Sequence, residues 1–200
     1  MTVRASTRDF DFAGQYEVVA KAISQSRIGD AVAAVRGISG SVIPGGAKRK
    51  TIPPHTQVGV FQRDGFNCLY CGRRVVLAAM LRLLAEYFAP IDPHLFPYHP
   101  HWKMTKCHLA FWRDSASCDH LLPAARGGNS DPDNLVTSCY NCNSIKQNWT
   151  LEELGWSRLQ GAPQPWDGLS SSYPSLVTVV WKGSEPSAYH RRWLAALANV

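Results

Sequence analysis

The sequence predicts a small α+β fold organised round a zinc site, with helical segments flanking it at both ends. Three observations carry that expectation. Two Cys-x-x-Cys pairs, Cys68–Cys71 and Cys139–Cys142, stand in the middle of the 200-residue chain. An aromatic-rich stretch, "CHLAFWRDSASCDH", favours a strand running into Asp119-His120. Apolar residues recur at helical spacing towards both termini.

Taken in order, Tyr16, Val19, Ala20 and Ile23, then Ala31, Val32 and Val35, predict two helices broken near Gly29. "SGSVIPGGAKRKTIPPH" (39–55) reads as a linker or exposed arm, whose Lys48, Arg49 and Lys50 either touch phosphate or form a solvated face. "TQVGVFQRDGFNCLYCGRR" suggests a short strand leading into the first cysteine knuckle. Val75 to Phe88 is the strongest helix, with Leu77, Met80, Leu81, Leu84 and Phe88 at helical spacing. Beyond it, Pro90, Pro93, Pro97 and Pro100 prevent a further regular element. A helix is expected to begin near Asn134 and run past Lys146. "WTLEELGW" predicts a short helix packed on the zinc lobe, and "SAYHRRWLAALANV" a closing helix capped by Ser187. The chain thus divides into a helical N-terminal segment with basic linker (1–55), a core (56–160) carrying an insertion at about 75–116, and a C-terminal extension (161–200) ending in a helix.

A hydrophobic share of 45% against 18% charged residues excludes a disordered chain. The net charge of +6 and pI near 9.1 suit a polyanionic partner. The opening "MTVRASTRDFDFAG" has no apolar h-region, and the most apolar run, 75–90, contains Arg82 and Glu86 and is too short to cross a bilayer. A cytoplasmic protein without membrane contact is expected. There, six cysteines argue for metal binding or free thiols over disulfides.

Four thiolates from two Cys-x-x-Cys pairs satisfy tetrahedral zinc, and Gly72 after the first pair suits a knuckle turn. Such a site has no open coordination position, so its expected role is folding. The alternative is four buried free thiols. Cys107 and Cys118 remain; isolated buried thiols are the commoner fate, with Cys107-His108 as an alternative ligand pair. His94, His99, His101 and His108 in the insertion are either surface groups or a second metal site.

Downstream, "CDHLLPAARGGNSDPDNLVTSCYNCNSIK" puts a carboxylate beside an imidazole and an asparagine beside a knuckle. Phosphodiester cleavage needs a base for water, which an imidazole supplies near neutral pH. It needs a hard cation on oxygen ligands and a basic group for phosphate. Asp119, His120, Asn143 and Lys146 supply these parts, although Lys146 and Arg126 are equally readable as solvated cations.

"RDGFNCLYCG", "CDHLLPAARGGNSDPDNLV" and "CYNCNSIK" together resemble the HNH endonuclease family over about residues 61–149. The resemblance implies a ββα-metal core with a structural zinc on Cys68, Cys71, Cys139 and Cys142. It implies His120 as general base, Asp119 as a metal ligand, Asn134 as the residue that ties the loop and helps hold the histidine, and Asn143 as a further metal ligand. Asparagine at that last position makes the site oxygen-rich and favours magnesium or manganese. The expected function is metal-dependent hydrolysis of DNA, most naturally double-stranded, with Lys146 and Arg126 as nucleic-acid contacts. A non-catalytic zinc-knuckle nucleic-acid-binding module and a nuclease acting on RNA are the alternatives. The insertion lies outside the family core.

Overall fold

A computed structural model describes residues 13–38, 51–159 and 166–199. The chain divides into two compact units, Thr2–Lys48 and Arg49–Val200. Lys48, Arg49 and Lys50 lie outside the described residues.

The first unit contains two helices, α1 (Ala13–Ser24) and α2 (Ile28–Ile38). The expected pair is present, but the break falls at residues 25–27. Gly29 sits inside the first turn of α2, where no neighbouring atom crowds it.

The second unit opens with α3 (Pro54–Arg63), where a strand was expected. Val58 and Val60 mimic strand alternation, yet Pro54 presets the helical φ at the first turn, and Val58 and Phe61 then bury one helical face. The first knuckle is a tight loop closed by an Asn67–Arg74 bridge and by the Cys68 amide donating to the Arg73 carbonyl at 2.8 Å. Gly72 turns it at φ +74°, a conformation that favours glycine.

Residues 75–77 are extended: Val76 exchanges hydrogen bonds with the Asp114 carbonyl and the Ala116 amide, both at 2.8 Å. That pairing closes the base of the insertion and delays the predicted helix, α4, to Ala78–Phe88. The insertion continues through a short 3-10 turn (Met104–Lys106) to α5 (Ala110–Arg113). It has a small core of its own, Leu81, Ala85, Ala110 and Phe111, ringed by Phe96, Tyr98 and Trp102.

Next come β1 (Ala116–His120), β2 (Leu135–Cys139) and α6 (Tyr140–Lys146). The strands are antiparallel, with Ala116 opposite Cys139 and His120 opposite Leu135. The helix expected from Asn134 therefore begins six residues later. All five residues of β2 are buried. With no solvent face there is no polar alternation to announce a strand, but Leu135-Val136-Thr137 has the β-favouring composition. This strand–strand–helix unit and the four clustered cysteines make the fold α+β, consistent with a ββα-metal core.

Helix α7 (Leu151–Leu154) carries a complete capping box between Thr150 and Glu153. Beyond it, Trp156 packs on Tyr70 of the first knuckle with centroids 5.5 Å apart. α8 (Tyr173–Trp181), which the sequence pattern did not announce, and α9 (Ala188–Ala198), capped by Ser187 as expected, complete the unit. Their Tyr173, Val177, Trp193 and Ala196 join Val58, Phe61, Leu77, Met80, Cys68 and Cys139 in the main core. Buried His190 links α9 to both neighbours, with Nδ1 2.6 Å from the Tyr173 hydroxyl and Nε2 2.8 Å from Glu86. Among the described residues no helix is long and apolar enough to cross a membrane.

Candidate active site

The sulfurs of Cys68, Cys71, Cys139 and Cys142 all lie within 4.8 Å of one another. Tetrahedral zinc with Zn–S bonds of about 2.3 Å needs sulfurs about 3.8 Å apart, so the cluster fits one ion after a small contraction. Two ligands come from the turn after Phe66; the other two flank the start of α6, where the Cys139 sulfur accepts from the Cys142 amide at 3.4 Å. Hydrogen bonds from Cys142 and Cys68 draw the Cys139 thiol down to about 7, and the thiols round Cys71 lower it as well. Those same bonds push Cys68 and Cys142 up. A cation lets all four ionise together. Among the described residues this is the one group of three or more His, Cys, Asp or Glu whose ligand atoms converge.

The insertion's histidines do not assemble a second such group. His99 Nδ1 accepts from the His101 amide, His108 Nδ1 from the Ala110 amide, and the Cys107 sulfur from the His99 amide. Cys118 is pushed up to about 12 by burial and then by the Asp119 charge, so it stays a neutral thiol.

Along β1, Asp119, His120 and Asn143 line one open cleft of about 390 Å³, together with Ser117, Cys118, Gln57, Trp102 and Tyr140. β1 presents Ser117 and Asp119 on one face by its period of two. Asn143 donates from Nδ2 to Ser117 Oγ at 2.6 Å, which leaves its amide oxygen without a protein partner among the described residues. Asp119 is 6% exposed and receives two donors on a single oxygen, Oδ2: the Tyr70 hydroxyl at 2.6 Å and the Lys146 ammonium at 3.1 Å. Oδ1 has no partner among the described residues. One carboxylate oxygen and one amide oxygen suit a hard divalent cation that keeps several waters. Burial, and then Asp119, push the Tyr70 phenol above its ordinary range, so it remains a hydrogen-bond donor.

His120 lies with Nε2 3.0 Å from Ser130 Oγ. Asn134 stands outside the cleft lining and ties the connecting loop: its Oδ1 accepts from the Leu122 amide, and its Nδ2 donates to the Leu122 and Asn129 carbonyls. Gly128 lets this loop close, because a Cβ there would fall 1.8 Å from the Leu122 oxygen.

A family model described as HNH endonuclease matches residues 106–157. This segment resembles HNH endonucleases. The match takes in Asp119, His120, Asn134, Asn143 and the second cysteine pair, and supports nuclease activity as the general class. The first knuckle and most of the insertion lie before it. No curated protein and no solved structure matches the chain.

The two basic residues expected to contact nucleic acid sit differently from each other. Lys146 is 0% exposed: its ammonium also donates to the His120 carbonyl at 2.7 Å, and it faces the protein interior where a phosphate contact must face solvent. Arg126 clamps both oxygens of Glu153 at 2.7 and 2.8 Å and remains 26% exposed beside Trp149. Sequence reasoning missed Tyr70, Ser117 and Ser130. Only Ser117 carried a local signal, its two-residue spacing from Asp119.

Proposed function

We propose that the chain is a metal-dependent endonuclease hydrolysing DNA phosphodiester bonds, with duplex DNA in the cytoplasm as its setting. The observation that carries the reading is one open cleft shared by Asp119, His120 and Asn143 within the HNH segment.

In this reading Asp119 Oδ1 and Asn143 Oδ1 hold magnesium or manganese. When bound, that cation offsets charge on the phosphate and the leaving oxygen. His120 takes the proton of the attacking water as its oxygen bonds to phosphorus, and the bond to the leaving oxygen breaks. Ser130 holds the imidazole ring, and Asn134 holds the loop that carries Ser130. Tyr70 and Lys146 fix the Asp119 carboxylate from the side of Oδ2, while Ser117 turns the Asn143 amide. Arg126 keeps the role of a phosphate contact at the rim; Lys146 becomes a positioning residue. The four-cysteine zinc holds the hairpin that bears these groups.

The test compares the intact protein with His120→Ala on supercoiled plasmid, with magnesium or manganese and with an EDTA control. Both proteins are first shown to be folded and zinc-loaded. Metal-dependent nicking that falls about 10²–10⁴-fold in the variant is expected from loss of a general base. A folded wild type that cuts no plasmid, single-stranded DNA or RNA overturns the reading.

A further inference from the structure

The cleft has an aromatic wall that the hydrolytic chemistry does not use. Trp102, from the insertion, and Tyr140, from the second knuckle, both line it beside Asp119, His120 and Asn143. Their ring centroids are 4.8 Å apart at an interplanar angle of 49°, an open V rather than a closed stack. Each ring is braced from behind. Fully buried Phe111 meets Trp102 at 5.6 Å, and Trp112 meets Tyr140 edge-on at 5.0 Å.

The polar ends of both rings have no hydrogen-bond partner among the described residues, and neither is buried, in contrast to the buried indole nitrogen of Trp112. Trp102 also adopts φ +47°, a left-handed conformation rare for a bulky residue, so the fold holds this ring where it is against local preference. Lys103 and Lys106, both exposed, follow it closely in the chain. Slight desolvation and then the charges of Lys103, His101 and Lys106 hold His99 below its ordinary value.

A cleft of about 390 Å³ is at the small end of ligand sites and has room for about one nucleobase. A base that reaches its wall must leave its own stack, and that step costs least where the base is already unpaired. Resting on the nuclease reading above, we propose that Trp102 and Tyr140 form a stacking subsite for one nucleobase beside the phosphate to be cut, so that DNA with an unpaired base at that point is preferred over uninterrupted duplex. The insertion is then a substrate-selecting element.

The experiment measures binding of labelled single-stranded DNA and of matched duplex to the full zinc-loaded chain in chelator-free buffer without magnesium or manganese, where the proposed hydrolysis does not occur. Wild type is compared with Trp102→Ala, Trp102→Phe and, as a control for loop disturbance, Met104→Ala, each shown to be folded and zinc-loaded. Loss of base–aromatic stacking weakens single-strand binding about 5- to 100-fold in Trp102→Ala. Phenylalanine restores most of it, Met104→Ala changes little, and duplex affinity moves less than single-strand affinity. Single-strand binding that is unchanged in folded Trp102→Ala, or absent from wild type, overturns the proposal. Trp102-dependent binding by a protein that cuts nothing with magnesium or manganese overturns the nuclease reading and leaves the subsite standing. Cleavage by a protein whose DNA binding ignores Trp102 does the reverse.

Discussion

The four-cysteine cluster gathers at the Cys139 end of one five-residue ladder, the cleft runs along β1 to His120, and the two are built by opposite means. At one end Cys139 joins three residues of its own kind, three of the four are buried, and the ligands converge with no need of other side chains. In the cleft Asp119, His120 and Asn143 are each held by a different neighbour: Tyr70 with Lys146, Ser130, and Ser117. A closed cluster of like groups is specified by its own members; an open site is specified by the neighbours that orient each member.

The largest expected effect lies in the closed cluster. Structural zinc contributes apparent free energies of about 10–16 kcal/mol in small metal-dependent folds. Three of the cysteines belong to the main core, so stripping the ion should abolish the cooperative melt of the unit from Arg49 onward. Near-UV circular dichroism with and without a strong chelator, alongside zinc analysis expecting one ion per chain, checks this. A melt that survives full removal of zinc would break the contrast, because the cluster would then be four packed thiols.

Next in size is the buried pair at the open site. Lys146→Met leaves the nearly buried Asp119 carboxylate with Tyr70 alone, and breaking a buried pair from one side costs about 3–5 kcal/mol. Adding Asp119→Asn removes the uncompensated charge and should recover a large part of that loss in urea unfolding. If the single variant is as stable as wild type, the pair does not hold the end of β1.

The same contrast governs how much was legible in the sequence. The four-cysteine cluster could be read because Cys-x-x-Cys spacing is itself the geometry of a knuckle. Asp119, His120 and Asn143 could be read because their chemistry is distinctive and each adjoins a motif cysteine or another member of the set. Their supports could not: Tyr70 reaches Asp119 across 49 positions, and nothing local marks it beyond lying between two cysteines. Lys146 was misread because its spacing from Asn143 fits a solvent-facing lysine as well as a buried one; only the fold brings Asp119 against it. The two misassigned elements have related causes. In α3 a strand-like Val58/Val60 alternation competed with Pro54, and β2 is covered on both faces, so neither showed the period of its true structure.

Tyr70 is the residue that joins the two sites, and it gives the smallest and sharpest test. Its backbone sits between Cys68 and Cys71 of the cluster, and its hydroxyl donates to Asp119 Oδ2 at 2.6 Å. Tyr70→Phe keeps the ring against Trp156 and deletes only that hydrogen bond. Zinc content and melting should change little, since Lys146 still pairs with Asp119. If Asp119 holds the proposed cation, losing this outer partner should cost about 10- to 100-fold in metal affinity. Manganese titration of the zinc-loaded protein, followed by the paramagnetic signal of the free ion, should therefore show weaker binding at unaltered zinc stoichiometry. Equal manganese affinity in the variant would mean that the knuckle and the cleft share a hairpin without sharing a function. A drop in zinc content would place Tyr70 with the closed site instead.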